Sequence, residues 1–155
     1  MSTILALDQS SKTTGWAVFK DGKLHDYGKF TFDDEIVGVR LKKFRLKIEE
    51  LIDTYFPDEV VFEDIQEQNN ILTFKVLAQV QGVLMELLTF LKIPYSTIMA
   101  VTWKSALGVK GKARAEQKRN AQQYVTNTYN VKATQDESDA ICIGTAYIKK
   151  NQCAW

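Results

Sequence analysis

Short apolar runs open the chain and then give way to a helical period. Thr3–Leu7 is aliphatic and short enough for a buried strand, and Thr14–Phe19 is a second such run. Asp21-Gly22 follows it as a hairpin turn, and Leu24–Phe32 continues the meander. From Glu35 to Tyr55 the spacing changes. Val37, Leu41, Phe44, Ile48, Leu51 and Tyr55 recur every three or four residues, which predicts an amphipathic helix ended by Pro57. Its other face carries Arg40, Lys42, Lys43 and Lys47. Glu59–Phe62 predicts a short buried strand. Asn69–Leu91 predicts a long helix whose polar stripe is only Lys75, Gln79, Gly82, Glu86 and Thr89. A helix that apolar has two things to cover, such as its own sheet and a partner subunit. Pro94–Met99 reads as a strand, Val101–Leu107 as a short helix and Gly108–Ala113 as a glycine/lysine loop. Ala115–Tyr129 and Glu137–Lys150 are the last helices, and Thr134 to Glu137 has capping-box spacing.

The order β-β-β-α-β-α-β-α-α-α predicts an α/β fold. Three meander strands are followed by parallel strands reached through right-handed crossovers, with helices on both faces. At 155 residues, residues 1–155 are expected to form one domain. Apolar content of 45% and charged content of 25% are ordinary for a soluble globular protein, and a net charge of +1 implies no partner. The long apolar helix raises the question of a membrane, but Lys75, Gln79, Gln81 and Glu86 interrupt it, so a buried soluble helix is expected. Two cysteines, Cys142 on an apolar helix face and Cys153, form no metal-binding spacing with the lone His25. A reducing cytoplasm is the expected compartment.

The chemistry lies in four carboxylates. Asp8 ends one apolar run, Glu63 another, and Asp136 and Asp139 open the last helix on a shared face. Each has an ordinary explanation. Asp8 could cap a turn, Glu63 or its neighbour Asp64 could be a solvated strand end, and acids at a helix start favour the dipole. Against this, Asp139 runs straight into Ala-Ile-Cys-Ile, where an unpaired charge is expensive. Four acids gathered at strand ends would be costly unless divalent metal filled them. The small-residue turn Ser10 to Gly15 would let a metal or phosphate approach closely. Lys104, Lys110, Lys112, Arg114, Lys118 and Arg119 are opposed only by Glu116. Such a run is usually a solvated face, but its position beside Trp103 and between the acids favours phosphate contact.

The segments LALDQSSKTTGWAVF, VVFEDIQEQNN with LAQVQGVL, VTWKSALGVKGKARAEQKR and DESDAICIGTAYI together resemble the RuvC-type Holliday junction resolvases of the RNase H-like superfamily. The resemblance covers nearly the whole chain. It implies a mixed five-stranded sheet flanked by helices, and metal-dependent endonuclease action on branched DNA by a homodimer. Asp8, Glu63, Asp136 and Asp139 match the metal-binding, catalytic carboxylates, expected to hold two Mg²⁺ ions per site with Mn²⁺ as a substitute. Lys104 matches a DNA-contacting lysine and Lys118 another, and Lys110, Lys112 and Arg114 join them as DNA-binding candidates. The family's pattern would put the dimer interface on Asn69–Leu91.

The chain also departs from that pattern. Asp-Gln-Ser stands where many bacterial members have Asp-Pro-Gly, and Gln66 stands where they carry an aromatic that stacks on junction bases. A compact chain with altered specificity elements looks more like a phage-encoded relative than a housekeeping enzyme. Other readings remain open. An RNase H-type or flap and branch nuclease would share the metal site, and a junction-binding protein with a vestigial site would share the surface. A sugar-kinase or actin-type phosphotransferase opens with a similar hairpin but needs two lobes.

Overall fold

The computed structural model describes residues 2–66 and 69–152. Five strands, β1 (Thr3–Asp8), β2 (Thr13–Lys20), β3 (Lys23–Thr31), β4 (Glu59–Glu63) and β5 (Tyr95–Ile98), form one mixed sheet in the order β3-β2-β1-β4-β5. The meander β1-β2-β3 is antiparallel, whereas β4 and β5 run parallel to β1. Asp21 and Gly22 both take positive φ, 52° and 77°, as a two-residue hairpin turn requires.

Alternation along the central strand sorts side chains between two cores. Leu5 and Leu7 face one side. There they meet Phe44, Ile48 and Leu51 of α1 (Val37–Tyr55) and Val80, Leu84, Leu87 and Leu88 of α2 (Ile71–Phe90). Ile4 and Ala6 face the other. That side is covered by α3 (Ala100–Leu107), α4 (Arg114–Tyr129) and α5 (Gln135–Gln152), which contribute Trp103, Ala121, Val125 and the run Ala140 to Ile143. Asp8 continues the Ile4–Ala6 face, and Glu63 continues that of Val61 on β4. Both acids therefore emerge under α5.

Three expectations need correction. The helix from 71 to 90 is not buried as a whole: only Val80, Leu84, Leu87 and Leu88 are, while Ile71, Leu72, Met85 and Phe90 are exposed. Its apolar composition exceeds what the sheet can cover. By length and composition alone it could cross a membrane, but here it is the crossover between parallel β4 and β5. Arg40 does not belong to an exposed basic face. It is buried, and its guanidinium donates to the carbonyls of Asp34 (2.6 Å) and Glu35 (3.2 Å), tying down the entry to α1. Strand β4 also runs one residue further than its apolar run, so Glu63 is held in the sheet rather than beyond it. Cys142 is core as expected, and Cys153 lies outside the described residues.

Candidate active site

Parallel pairing of β1 with β4 reaches Leu7 opposite Phe62, so Asp8 and Glu63 follow side by side at the ends of adjacent strands. The other two acids arrive on the first turns of α5. A reciprocal cap fixes where that helix starts: the Thr134 backbone N–H donates to Glu137 Oε1 (2.8 Å), and the Glu137 N–H donates to Thr134 Oγ1 (3.3 Å). Gly15, opposite Asp8 in the β1–β2 ladder, fixes how close it comes. A Cβ on Gly15 would lie 2.0 Å from the Asp136 carbonyl oxygen, so only a bare backbone admits the helix there. Gly15 thus serves helix docking, while Ser10, Lys12 and Thr13 of the same segment face the cleft at the end of β1.

Asp8, Glu63, Asp136 and Asp139 all line one cleft of about 660 Å³. Asp64 lines it too, from the opposite face of β4, within reach of the Gln81 amide at 3.5 Å. Lys104, Arg114 and Lys118 supply positive charge to the same cleft, together with Lys12, which the sequence reading passed over. Lys110 and Lys112 do not line it. They stand exposed on the loop before α4, where the Lys112 N–H donates to Glu116 Oε2 (3.2 Å) and the Lys110 carbonyl accepts from Asn120. The basic block is therefore divided between cleft and outer surface. On α4 the residues that turn inward are Arg114, Gln117 and Lys118, a spacing of three and four that a helical reading of the block would have picked out.

The electrostatics are those of crowded acids. Burial, then the charges of Asp139 and Glu63, push the Asp8 carboxyl well above the usual carboxylate range. Glu63 is raised by burial, although the Trp103 indole N–H donates to its Oε1 at 2.8 Å and pulls the other way. Asp139, only 8% exposed, is also raised by burial, against the pull of Lys118, whose Nζ lies 2.9 Å from its Oδ2. Burial alone would lower Lys118, but Asp139 overrides it and the lysine is held above its ordinary value. The charge expected at Asp139 is therefore paired, by a lysine from the basic block. Lys104 donates to Gln117 Oε1 (2.9 Å), with its Nζ 5.4 Å from the Trp103 ring centroid. Sequence reasoning also missed Gln9, which is buried and donates from Nε2 to the Glu63 carbonyl (2.7 Å). Neither Trp103 nor Gln9 belongs to a recognisable ligand spacing, and each acts through a partner 40 or more residues away.

Among the described residues, no three acidic, imidazole or thiol side chains are drawn closely enough together to hold an ion as they stand. The physical reason is on view: like charges repel, and Glu63 and Asp139 are turned to Trp103 and Lys118. In donor type and charge the cleft still suits a hard divalent cation. Its ligands are carboxylate oxygens, and the mutual repulsion that raises Asp8 is what such a cation would relieve.

Comparison with known proteins gives a consistent result. The family model described as crossover junction endodeoxyribonuclease RuvC matches residues 4–147. The chain is 30% identical over 149 residues to a crossover junction endodeoxyribonuclease RuvC of Geotalea uraniireducens, covering 93% of this chain and 86% of the relative. It is 32% identical over 151 residues to the same-named protein of Orientia tsutsugamushi strain Boryong, covering 93% and 92%. Among solved structures, Thermus thermophilus RuvC in complex with a Holliday junction substrate superposes with a TM-score of 0.83 at 13% identity, covering 99% of this chain and 97% of that one. The Fowlpox virus resolvase in complex with Holliday junction DNA gives 0.59 at 16% identity, covering 96% and 98%. These structural likenesses speak for the fold.

Proposed function

This chain belongs to the RuvC family of crossover junction endodeoxyribonucleases, and on that premise we propose that it resolves four-way DNA junctions by metal-dependent hydrolysis, with Asp8, Glu63, Asp136 and Asp139 as the metal-holding carboxylates. The observation that carries this reading is the convergence of four acids from β1, β4 and α5 on one cleft that also holds Lys12, Lys104, Arg114 and Lys118. When bound, a divalent cation (Mg²⁺ in this reading, two ions per site, with Mn²⁺ as a substitute) supplies an activated water and neutralises charge at the scissile phosphate. The chain's own residues do the rest. Strand register holds Asp8 beside Glu63, and the capped start of α5 presents Asp136 and Asp139 to them. Lys104 and Arg114 line the cleft where a phosphate backbone would be gripped, and Lys118 balances Asp139 while offering its ammonium to the same space. Lys110 and Lys112, outside the cleft, fit longer-range contact with a junction arm.

Paired nicks on a four-way junction need two sites related by symmetry, so the acting form in this proposal is a homodimer. Its contact is assigned to the outer side of α2, where Ile71 (75%), Leu72 (70%) and Phe90 (69%) are exposed on a helix whose opposite stripe fills the core. The test is a denaturing gel of end-labelled four-way junction, linear duplex and RNA/DNA hybrid, each in Mg²⁺ and in chelator. Symmetric nicks confined to the junction and dependent on Mg²⁺ are expected. Preferential cutting of the hybrid would move the assignment to an RNase H-type activity. Tight junction binding without cutting would leave a binding protein.

A further inference from the structure

Strand register brings a core aromatic to one of the acids. Glu63 ends β4 opposite Ile98, the last residue of β5, and α3 starts two residues later at Ala100. One turn along that helix, the Trp103 indole N–H donates to Glu63 Oε1 at 2.8 Å. The Trp103 ring is 2% exposed and belongs to the core formed with Ile98, Leu107 and Ile141. The donor is therefore fixed in place, while Glu63 is only partly buried and lines the cleft. Phenylalanine or leucine would fill a core position of this kind as well. The indole differs from them in its one N–H, a donor that a buried tryptophan must place.

A donor of this kind suits an acid that must hold a cation. A carboxylate has two oxygens, and a single N–H bonded to Oε1 leaves the other oxygen to a different partner. With Oε1 held, the carboxylate no longer swings freely at the end of its side chain. The indole is also neutral. At Asp139 the partner is the Lys118 ammonium, a positive charge that repels an arriving cation. At Glu63 the nearby lysines are turned elsewhere: Lys104, the next residue on α3, donates to Gln117 Oε1, and Lys118 donates to Asp139. Glu63 is thus oriented by the core without a positive charge bonded to it.

We propose that Trp103 is a positioning residue for the metal site: its indole N–H holds one oxygen of Glu63 and so orients the carboxylate that binds the cation. This deepens the metal-dependent reading and rests on it. The role goes with the N–H and not with the bulk of the ring, which separates it from simple core filling.

The test is calorimetric binding of Mg²⁺, without DNA, to wild type, to Trp103→Phe and to protein carrying benzothienylalanine in place of Trp103, with folding checked by circular dichroism. The benzothienyl ring keeps the shape of indole and has sulfur where indole has its N–H. Both changes are expected to weaken Mg²⁺ binding by about tenfold, the usual scale for a partner that orients a metal ligand. Should Trp103→Phe fail to fold, the benzothienyl protein still decides. In isotope-labelled wild type, the Trp103 indole N–H resonance is identified by its loss from either altered protein. It is expected to move during a Mg²⁺ titration with the same midpoint as the calorimetry. Wild-type affinity in the benzothienyl protein would reduce Trp103 to core filling, and an indole resonance that stays still while Mg²⁺ binds would detach it from the site. Either result would overturn the proposal. If wild type bound no Mg²⁺, the metal-dependent reading itself would fail, a separate and recognisable outcome.

Discussion

Helices α2 and α5 are of similar length, lie on opposite faces of the same sheet, and contradict a simple reading of composition. The more apolar one, α2, buries only Val80, Leu84, Leu87 and Leu88 of its 20 residues. The more polar one, α5, buries an unbroken run from Ser138 to Ala146, including a carboxylate and a threonine. Position explains the inversion. α5 lies on the inner strands β1 and β2 and is itself flanked by α3 and α4, so even its polar residues are enclosed. α2 touches the sheet along one stripe and leaves the rest of its apolar surface outward. Burial here records where a helix sits. Composition records what else that helix must do: in our proposal, chemistry for α5 and subunit contact for α2.

Several substitutions would break or sharpen that contrast. The largest effect belongs to α5. Asp139→Asn should reduce junction cleavage by about a thousandfold or more, the scale of losing a metal-assisted step, with junction binding retained in a gel shift. Cleavage within tenfold of wild type would remove Asp139 from the chemistry. On α2, the double change Met85→Glu and Phe90→Glu should convert a dimer to a monomer in sedimentation and turn paired nicks into rare single ones, with each subunit still folded. A dimer surviving both charges would place the interface elsewhere.

Smaller effects compare the two helices glycine for glycine. A Cβ on Gly144 would meet the Phe19 ring at 2.2 Å. Gly144→Ala should therefore cost about 1–3 kcal/mol in denaturant unfolding. Gly82 on α2 has nothing within 4 Å of that point, so Gly82→Ala should stabilise by about 0.5–1 kcal/mol through helix propensity alone. Equal effects would mean the two faces are packed alike.

Protons separate the helices as well. Asp8, Glu63 and Asp139 are all raised by burial, so the folded state binds their protons more tightly than the unfolded chain does. Their contribution to stability is fully present below the ordinary carboxylate pKa and is lost as pH rises through the raised values. In chelator, the melting temperature of Asp8→Asn relative to wild type should accordingly climb with pH over that window, and Mg²⁺ should narrow the gap. The effect of Gly82→Ala on α2 should not vary with pH. A flat Asp8→Asn difference would mean that neither burial nor the neighbouring carboxylates raise Asp8.

Much of this was legible in the chain because the relevant signals are local. Apolar runs marked the strands, the three-four period marked α1, and Thr134 with Glu137 marked the start of α5 through a bond pair that spans three residues. Asp8 and Glu63 were readable as strand ends. The rest depends on contacts between distant segments. Nothing near Gly15 announces that its missing side chain makes room for Asp136. Trp103 reads only as a neighbour of the basic run, and nothing local announces that its indole N–H meets Glu63. The charge run from 104 to 119 looks uniform in sequence, and only the turn of α4 sends Arg114 and Lys118 inward while Lys110 and Lys112 stay out. Arg40, one of the four basic residues assigned to one face of α1, was drawn into the fold by two carbonyls of the loop just before it.

The seating of α5 against β1 and β2 also has a meaning in time. Asp8 and the two acids of α5 come from opposite ends of the sequence, and Gly15 receives the backbone of Asp136. During synthesis the segment carrying Asp8 emerges first, and the partner that completes its site is among the later segments made. Contacts of such high sequence separation form slowly. A growing chain thus carries no assembled cleft until α5 has been made, and in our proposal the power to cut DNA arrives with the same docking event that closes the second core.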